Sequence, residues 1–399
     1  MHSRRDFLKQ ASLVALAPVV PSFLAQTAHA ALPDKDGRIL VVIQLDGGND
    51  GINTVVPFAD PGYAKYRKAL RLPKEQLIKV NDSVGLHPEM KDAGKLLEKG
   101  QLAIVQGVGY PNPNRSHFES MAIWHTARLD LEERGGLGWI GRGLDGGPAP
   151  RGGVAAAVFV GGGPLPVALR SRRSVASGLT RPEDFVLTRE AKGIEAGRFD
   201  RTKDDVLTFV RRSTVDGYTT ADRMADFRAA DGRDRYPASA LGQHLGLMAR
   251  LIKGDIGTRV YYARQPGYDT HATQLGAHAL LLRTLSEAVT AFLDDLAASK
   301  LAERVVVLCF SEFGRTVKEN GSTGTDHGTA GPVFLAGPGV KGGLVGSTPS
   351  LLDLDPKHGD LRVGLDFRQV YATVLEKWLG LPSREALGGP FEPLPLFRG

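Results

Sequence analysis

The sequence predicts an α/β fold, a three-layer sandwich with a mostly parallel central sheet. Three observations lead there. Apolar runs rich in Val and Ile recur along the chain, stretches with helical periodicity separate them, and Asp, Glu and His gather just after the runs. Strands divided by helices pair in parallel and are covered by helices on both faces. In such sheets ligands bind beyond the carboxyl ends of the strands.

The strands are expected at 38–45, 102–106, 156–160, 259–262, 304–310 and 332–335. Each is a short apolar run of the kind that fills a buried strand. Helices are expected at 87–99, 117–126, 238–253, 273–299 and 366–379. In the fourth, Leu280, Thr284, Ala288, Phe292 and Asp295 fall down one side. The stretch from about 165 to 236 is less regular and modestly basic, as an insertion in a single domain over 31–399 would be.

The first 30 residues read as an address. Ser3-Arg4-Arg5-Asp6-Phe7-Leu8-Lys9 precedes a modestly apolar stretch, and Ala28-His29-Ala30 offers a small-residue cleavage pattern. This is the layout of a secretory leader, and the paired arginines point to the twin-arginine export machinery as a partner. The expected location is the periplasm or the extracellular space.

Composition removes several classes. Of the 399 residues 42% are hydrophobic and 24% charged, enough apolar material for a large core. The single cysteine, Cys309, cannot form an internal disulfide or a four-cysteine zinc site, and its apolar surroundings make it a small core residue. No apolar stretch is long enough for a stable membrane span. A net charge of +6 without basic-aromatic motifs argues against nucleic acid as a partner.

The residues after the strands carry the chemistry. The first strand ends in Asp46-Gly47-Gly48-Asn49-Asp50-Gly51, where glycines permit a sharp turn and carboxylates suit a cation. The second leads to Asn114-Arg115-Ser116-His117. There Ser116 and Glu119 match a helix-capping box, and a helix amino terminus also favours an anion or an activated nucleophile. Asp269 and His271, two apart in extended chain, can share one cation. Glu312 and Arg315 follow a wholly apolar strand, and Asp326-His327 sits between glycine-rich flanks. All are predicted on one edge of one sheet.

These motifs, with Asp366-Phe367-Arg368-Gln369-Val370-Tyr371, resemble the DUF1501 family of exported bacterial proteins over nearly the whole mature chain. More distantly they resemble the alkaline phosphatase–sulfatase superfamily of metal-dependent ester hydrolases, which implies an alkaline-phosphatase-like fold. Through that resemblance Asp46 matches the metal-binding Asp after the first strand. The stretch from Asn114 to His117 falls where the nucleophile sits, and both Ser116 and His117 fit. Asp269 and His271 are similar to a metal-binding pair, Glu312 takes the place of a further carboxylate ligand, and His327 matches a final ligand. The superfamily's usual Asp-His pair is replaced by Glu312-Phe313, so one nitrogen ligand is missing unless Asp326 or His117 substitutes.

The expected function is hydrolysis of a phosphate or sulfate ester, on an anionic small molecule or polysaccharide. One or two divalent cations (Zn, Ca, Mg or Mn) would be held by Asp46, Asp269, His271, Glu312, Asp326 and His327. Ser116, His117 or a bound water would attack, and Arg115 or Arg315 would grip the non-bridging oxygens. The alternative is a non-catalytic periplasmic binding or assembly protein on the same scaffold.

Overall fold

A computed structural model describes residues 37–149, 154–180, 208, 215–216 and 235–398. The leader over 1–30 and most of the stretch 165–236 lie outside the described residues.

Twelve strands are described: β1 (Ile39–Asp46), β2 (Val55–Val56), β3 (Ile78–Lys79), β4 (Gly85–Leu86), β5 (Leu102–Gly109), β6 (Ala157–Val160), β7 (Ala176–Leu179), β8 (Val260–Pro266), β9 (Val305–Phe310), β10 (Gly331–Ala336), β11 (Gly343–Val345) and β12 (Leu365–Asp366). Nine build the main sheet in the order β11-β5-β10-β9-β1-β8-β6-β7, with β12 also on β5, and β2-β4-β3 form a small second sheet. Residues Ala176–Leu179, inside the stretch expected to be irregular, form the edge strand β7.

The main sheet is parallel except at β10, which runs against both β5 and β9. The cause is visible in the chain. Parallel neighbours need a long crossover, commonly a helix, and the segment between β9 and β10 contains none. It turns back at the sheet edge instead. The carboxyl ends of β1, β5, β8 and β9 and the amino end of β10 therefore share one edge.

Among the described residues, the helices on the faces include α1 (Lys91–Glu98), α2 (His117–Thr126), α3 (Trp139–Asp145), α4 (Ala240–Lys253), α5 (Gln274–Ala298) and α6 (Phe367–Thr373). β1 shows how the layers are specified. Ile39, Val41, Ile43 and Leu45 pack with α1, α4 and α5. Leu40 and Val42 pack on the opposite face with α2, α3 and α6. Each fully buried side chain of this size contributes about 1.5–3 kcal/mol. A one-residue slip would reverse every one of them, and Asp46 with them.

Two helical details differ from expectation. In α5, Leu280 is exposed, and the core side is carried by Leu282, Leu285, Val289, Phe292 and Leu296. Steps of four residues turn 400° in a helix of 3.6 residues per turn, so the expected stripe drifts from solvent into the core. The stretch 366–379 is α6 followed by a wider π-helical turn over Val374–Leu379. No described helix is long and apolar enough to cross a membrane.

Candidate metal centre and cleft

The sheet edge delivers the polar side chains to one place. After β1 the chain turns through Gly47 and Gly48, both at positive φ. A Cβ on Gly47 would lie 2.3 Å from the Asp269 nitrogen, so only glycine lets this loop touch the one after β8. Tyr268 N donates to Asp46 O at 3.0 Å, closing that contact. After β5, the Tyr110 hydroxyl donates to Ser120 Oγ at 2.9 Å and accepts from Asn114 N at 3.0 Å, fixing the loop that starts α2.

Three imidazoles point at one carboxylate oxygen. Asp269 Oδ1 lies 2.9 Å from His271 Nε2, 3.1 Å from His327 Nε2 and 3.4 Å from His117 Nε2. Each ring is held from behind through Nδ1. His117 Nδ1 meets Glu312 Oε1 at 2.8 Å, His271 Nδ1 meets Asp326 Oδ1 at 3.1 Å, and His327 Nδ1 meets the Arg115 carbonyl at 2.7 Å. Such outer partners fix tautomer and ring direction and leave Nε2 as the inward-facing donor to a cation. His117, Asp269 and His327 can each offer a ligand atom within 4.8 Å of the others, and His117 Nε2 is a buried nitrogen without a hydrogen-bond partner. His271 stands at the edge of this set, 3.0 Å from His327 through the two Nε2 atoms.

The contacts of the expected site residues are these. Glu312 and Asp326, expected as ligands, hold imidazoles. Glu312 Oε1 also accepts from Gly47 N at 3.0 Å, and Oε2 accepts from Ser311 Oγ at 3.0 Å. His117, expected as nucleophile or substitute ligand, sits among the nitrogen donors. Asp46 faces the same cleft but takes its hydrogen bond from Gln44 Nε2. Asp50, the second carboxylate of the glycine loop, is wholly buried against Arg67 at 2.6 and 2.9 Å.

Neither expected anion-gripping arginine is free. Arg315 is buried, and its guanidinium donates to the carbonyls of Gly47, Gly48, Tyr268 and Thr325 and to Asp269 Oδ1 at 2.6 Å. It ties three loops together and orients Asp269. Arg115 pairs with Asp360 at 3.1 Å. Ser116 is exposed at the amino end of α2 and makes no side-chain cap bond. Its expected capping partner, Glu119, is drawn to Arg134 at 2.6 Å instead.

The electrostatics follow from these contacts. Burial pushes Asp269 upward, but hydrogen bonds from Arg315 and His327 and the charges of Arg315 and His271 outweigh it and hold the carboxyl at about 2. Burial raises Asp46, against the Gln44 hydrogen bond, and the charge of Glu312 adds to the rise. The Glu312 hydrogen bond raises His117, whereas burial lowers His327.

Two buried networks escaped the sequence reading. On the Asp46 side of β1, the Tyr262 hydroxyl and His125 Nε2 both meet Gln44 Oε1, the latter at 2.7 Å. Strand alternation puts Gln44 on the face of Asp46, and that signal was available. On the other side, His278 Nε2 meets Asn49 Oδ1 at 2.9 Å, and Gln274 Nε2 donates to Asp50 at 2.5 Å. No local pattern announces Arg67 or His278 as partners of this loop.

An open cleft of about 480 Å³ adjoins the cluster, with Asp46, His117, Asp269 and Glu312 along its charged side. Fold and site together define an α/β protein with a histidine-rich, cation-competent pocket at the sheet edge. The family described as "Protein of unknown function (DUF1501)" matches residues 38–386, and the chain belongs to it. No curated protein matches in sequence. Among solved structures, the chain is similar to Ps i-CgsB in complex with k-i-k-neocarrahexaose (9% identity, 89% of this chain and 74% of that one, TM-score 0.42). It is also similar to the PsFucS1 sulfatase from Pseudoalteromonas sp. (11%, 94% and 75%, TM-score 0.40). A third is the C-terminal periplasmic domain of EcEptC from Escherichia coli in complex with Zn (10%, 77% and 76%, TM-score 0.35).

Proposed function

We propose that this protein is a metal-dependent hydrolase of phosphate or sulfate esters. The observation that carries the reading is the convergence of three imidazole Nε2 atoms on Asp269 Oδ1, with every Nδ1 held from behind. A set of imidazoles and one carboxylate suits a borderline cation, zinc foremost, better than calcium or magnesium, which favour oxygen. His117, Asp269 and His327 would hold it, and three protein ligands leave a position open for substrate. When bound, the cation supplies Lewis acidity to an ester oxygen.

The chain's own groups supply the rest. Asp269 brings negative charge, and Arg315 keeps its carboxylate in place. Asp46 faces the cleft beside His117 and is placed to accept a proton from an attacking water. Water fits the role of nucleophile better than Ser116, which is not among the cleft-lining residues.

A second reading has its own support: with Ser116 outside the cleft and both arginines engaged, the pocket could hold a cation and an anion without turnover. Elemental analysis followed by assays on aryl phosphates and aryl sulfates separates the two. Zinc with turnover that is lost in Asp269→Ala supports the hydrolase. Zinc without turnover supports the binding or assembly protein. Absence of both removes the enzyme reading.

Export by the twin-arginine machinery to the periplasm or beyond is part of the proposal, resting on Arg4, Arg5 and the Ala28-His29-Ala30 pattern. Replacing both arginines by lysine should leave the protein in the cytoplasm on cell fractionation. Undiminished export of that variant would remove the assignment.

A further inference from the structure

Helix α2 packs one side in the core and turns another toward the cleft. Ile123 and Trp124 are buried, Trp124 stacking on Phe310 and Phe367. The other side is His117, Phe118, Met121, Ala122 and His125, a helical face that lines the cleft. Phe118 is 89% exposed, and Met121 and Ala122 are half-buried. Val167 adds a further apolar group to the same cleft. The cleft lining thus combines Asp46, Asp269, Glu312 and imidazoles with the nonpolar Phe118, Met121, Ala122 and Val167.

His117 joins the two groups. Its Nε2 faces Asp269, and the next residue is Phe118. A ligand whose anionic group sits at the imidazole cluster has Phe118, Met121 and Ala122 of α2 within the same cleft for its remaining atoms. An isolated exposed apolar residue needs no explanation, but a set of nonpolar residues inside a cleft beside a charge cluster matches the composition of small-molecule sites. The volume of about 480 Å³ admits one or two rings.

Resting on the cation-centre reading above, we infer that Phe118, Met121 and Ala122 form a subsite for the organic part of an anionic ligand, and that this part presents the flat nonpolar face of a ring. An exposed phenylalanine ring selects such a face through offset stacking. An aryl group and the C–H face of a pyranose share this chemistry.

The test is calorimetric titration of the zinc-loaded full chain with three non-hydrolysable probes, phenylphosphonate, methylphosphonate and the phosphonate analogue of glucose 6-phosphate, with zinc content measured on the same samples. Phenylphosphonate or the sugar phosphonate should bind about tenfold more tightly than methylphosphonate. The tighter of the two assigns the ring as aryl or sugar. Phe118→Ala should abolish the preference while methylphosphonate affinity stays unchanged, and Phe118→Tyr should restore it. Circular dichroism checks that the variants are folded. A zinc-bearing protein that binds no probe, binds all alike, or keeps its preference in Phe118→Ala overturns the subsite and leaves the cation centre standing. Wild-type protein without zinc overturns the centre, and the subsite with it.

Discussion

His117 and Glu312 meet at 2.8 Å across 195 positions of sequence. The bond takes Nδ1 of the imidazole and leaves Nε2 directed at Asp269. It also joins the start of α2 to the loop after β9, so one contact sets both the helix position and the ligand direction.

Replacing Glu312 by Gln should therefore weaken zinc binding without removing any of the three proposed ligands. Outer partners of ligating histidines are typically worth 10–100-fold in metal affinity. Competition with a chromogenic zinc chelator reads the change directly. An affinity equal to wild type would show that Glu312 does not act through His117.

The Asp50–Arg67 pair carries a different expectation. Burial alone would raise Asp50, but the charge and paired hydrogen bonds of Arg67 hold it at about 2. Arg67→Met leaves an uncompensated buried carboxylate, which costs about 3–5 kcal/mol. Urea denaturation should show that loss, while zinc per folded chain stays at the wild-type level. A variant as stable as wild type would contradict the assignment of this pair to the fold.

Acid should destabilise the protein through His87 and His278. Burial holds each at about 4, below the ordinary 6.5. The folded state thus takes up protons less readily than the unfolded chain, and stability falls as pH drops from about 6.5 towards 4. Each unit of depression corresponds to about 1.4 kcal/mol. Urea midpoints measured between pH 7.5 and 4.5 should slope downward, and less steeply in His278→Gln. Equal slopes in the two proteins would remove His278 from the account.

Some of this was legible in the sequence because it depends on local pattern. Seven consecutive buried residues of β1, Ile39 to Leu45, alternate between two faces, and Asp46 ends the strand. Helix α2 spans the expected 117–126, although the expected capping box at its start does not form. The direction of β10 follows from the chain between Phe310 and Gly331, which holds no helix to carry a parallel crossover. The sequence names residues that gather at this edge but not the contacts among them. Spacing indicates that Glu312, Asp326 and His327 reach one edge; it does not say that two of them stand behind imidazoles. Arg67 and His278 have no periodic relation to Asp50 or Asn49, so only the folded chain brings them together.

The most direct test of the central claim is zinc content by elemental mass spectrometry after dialysis against a weak chelator, in wild type and in a His117→Ala, His327→Ala double variant shown to be folded. The account predicts close to one zinc per wild-type chain and almost none in the variant. Metal-free wild type, or a double variant that retains its zinc, would contradict it.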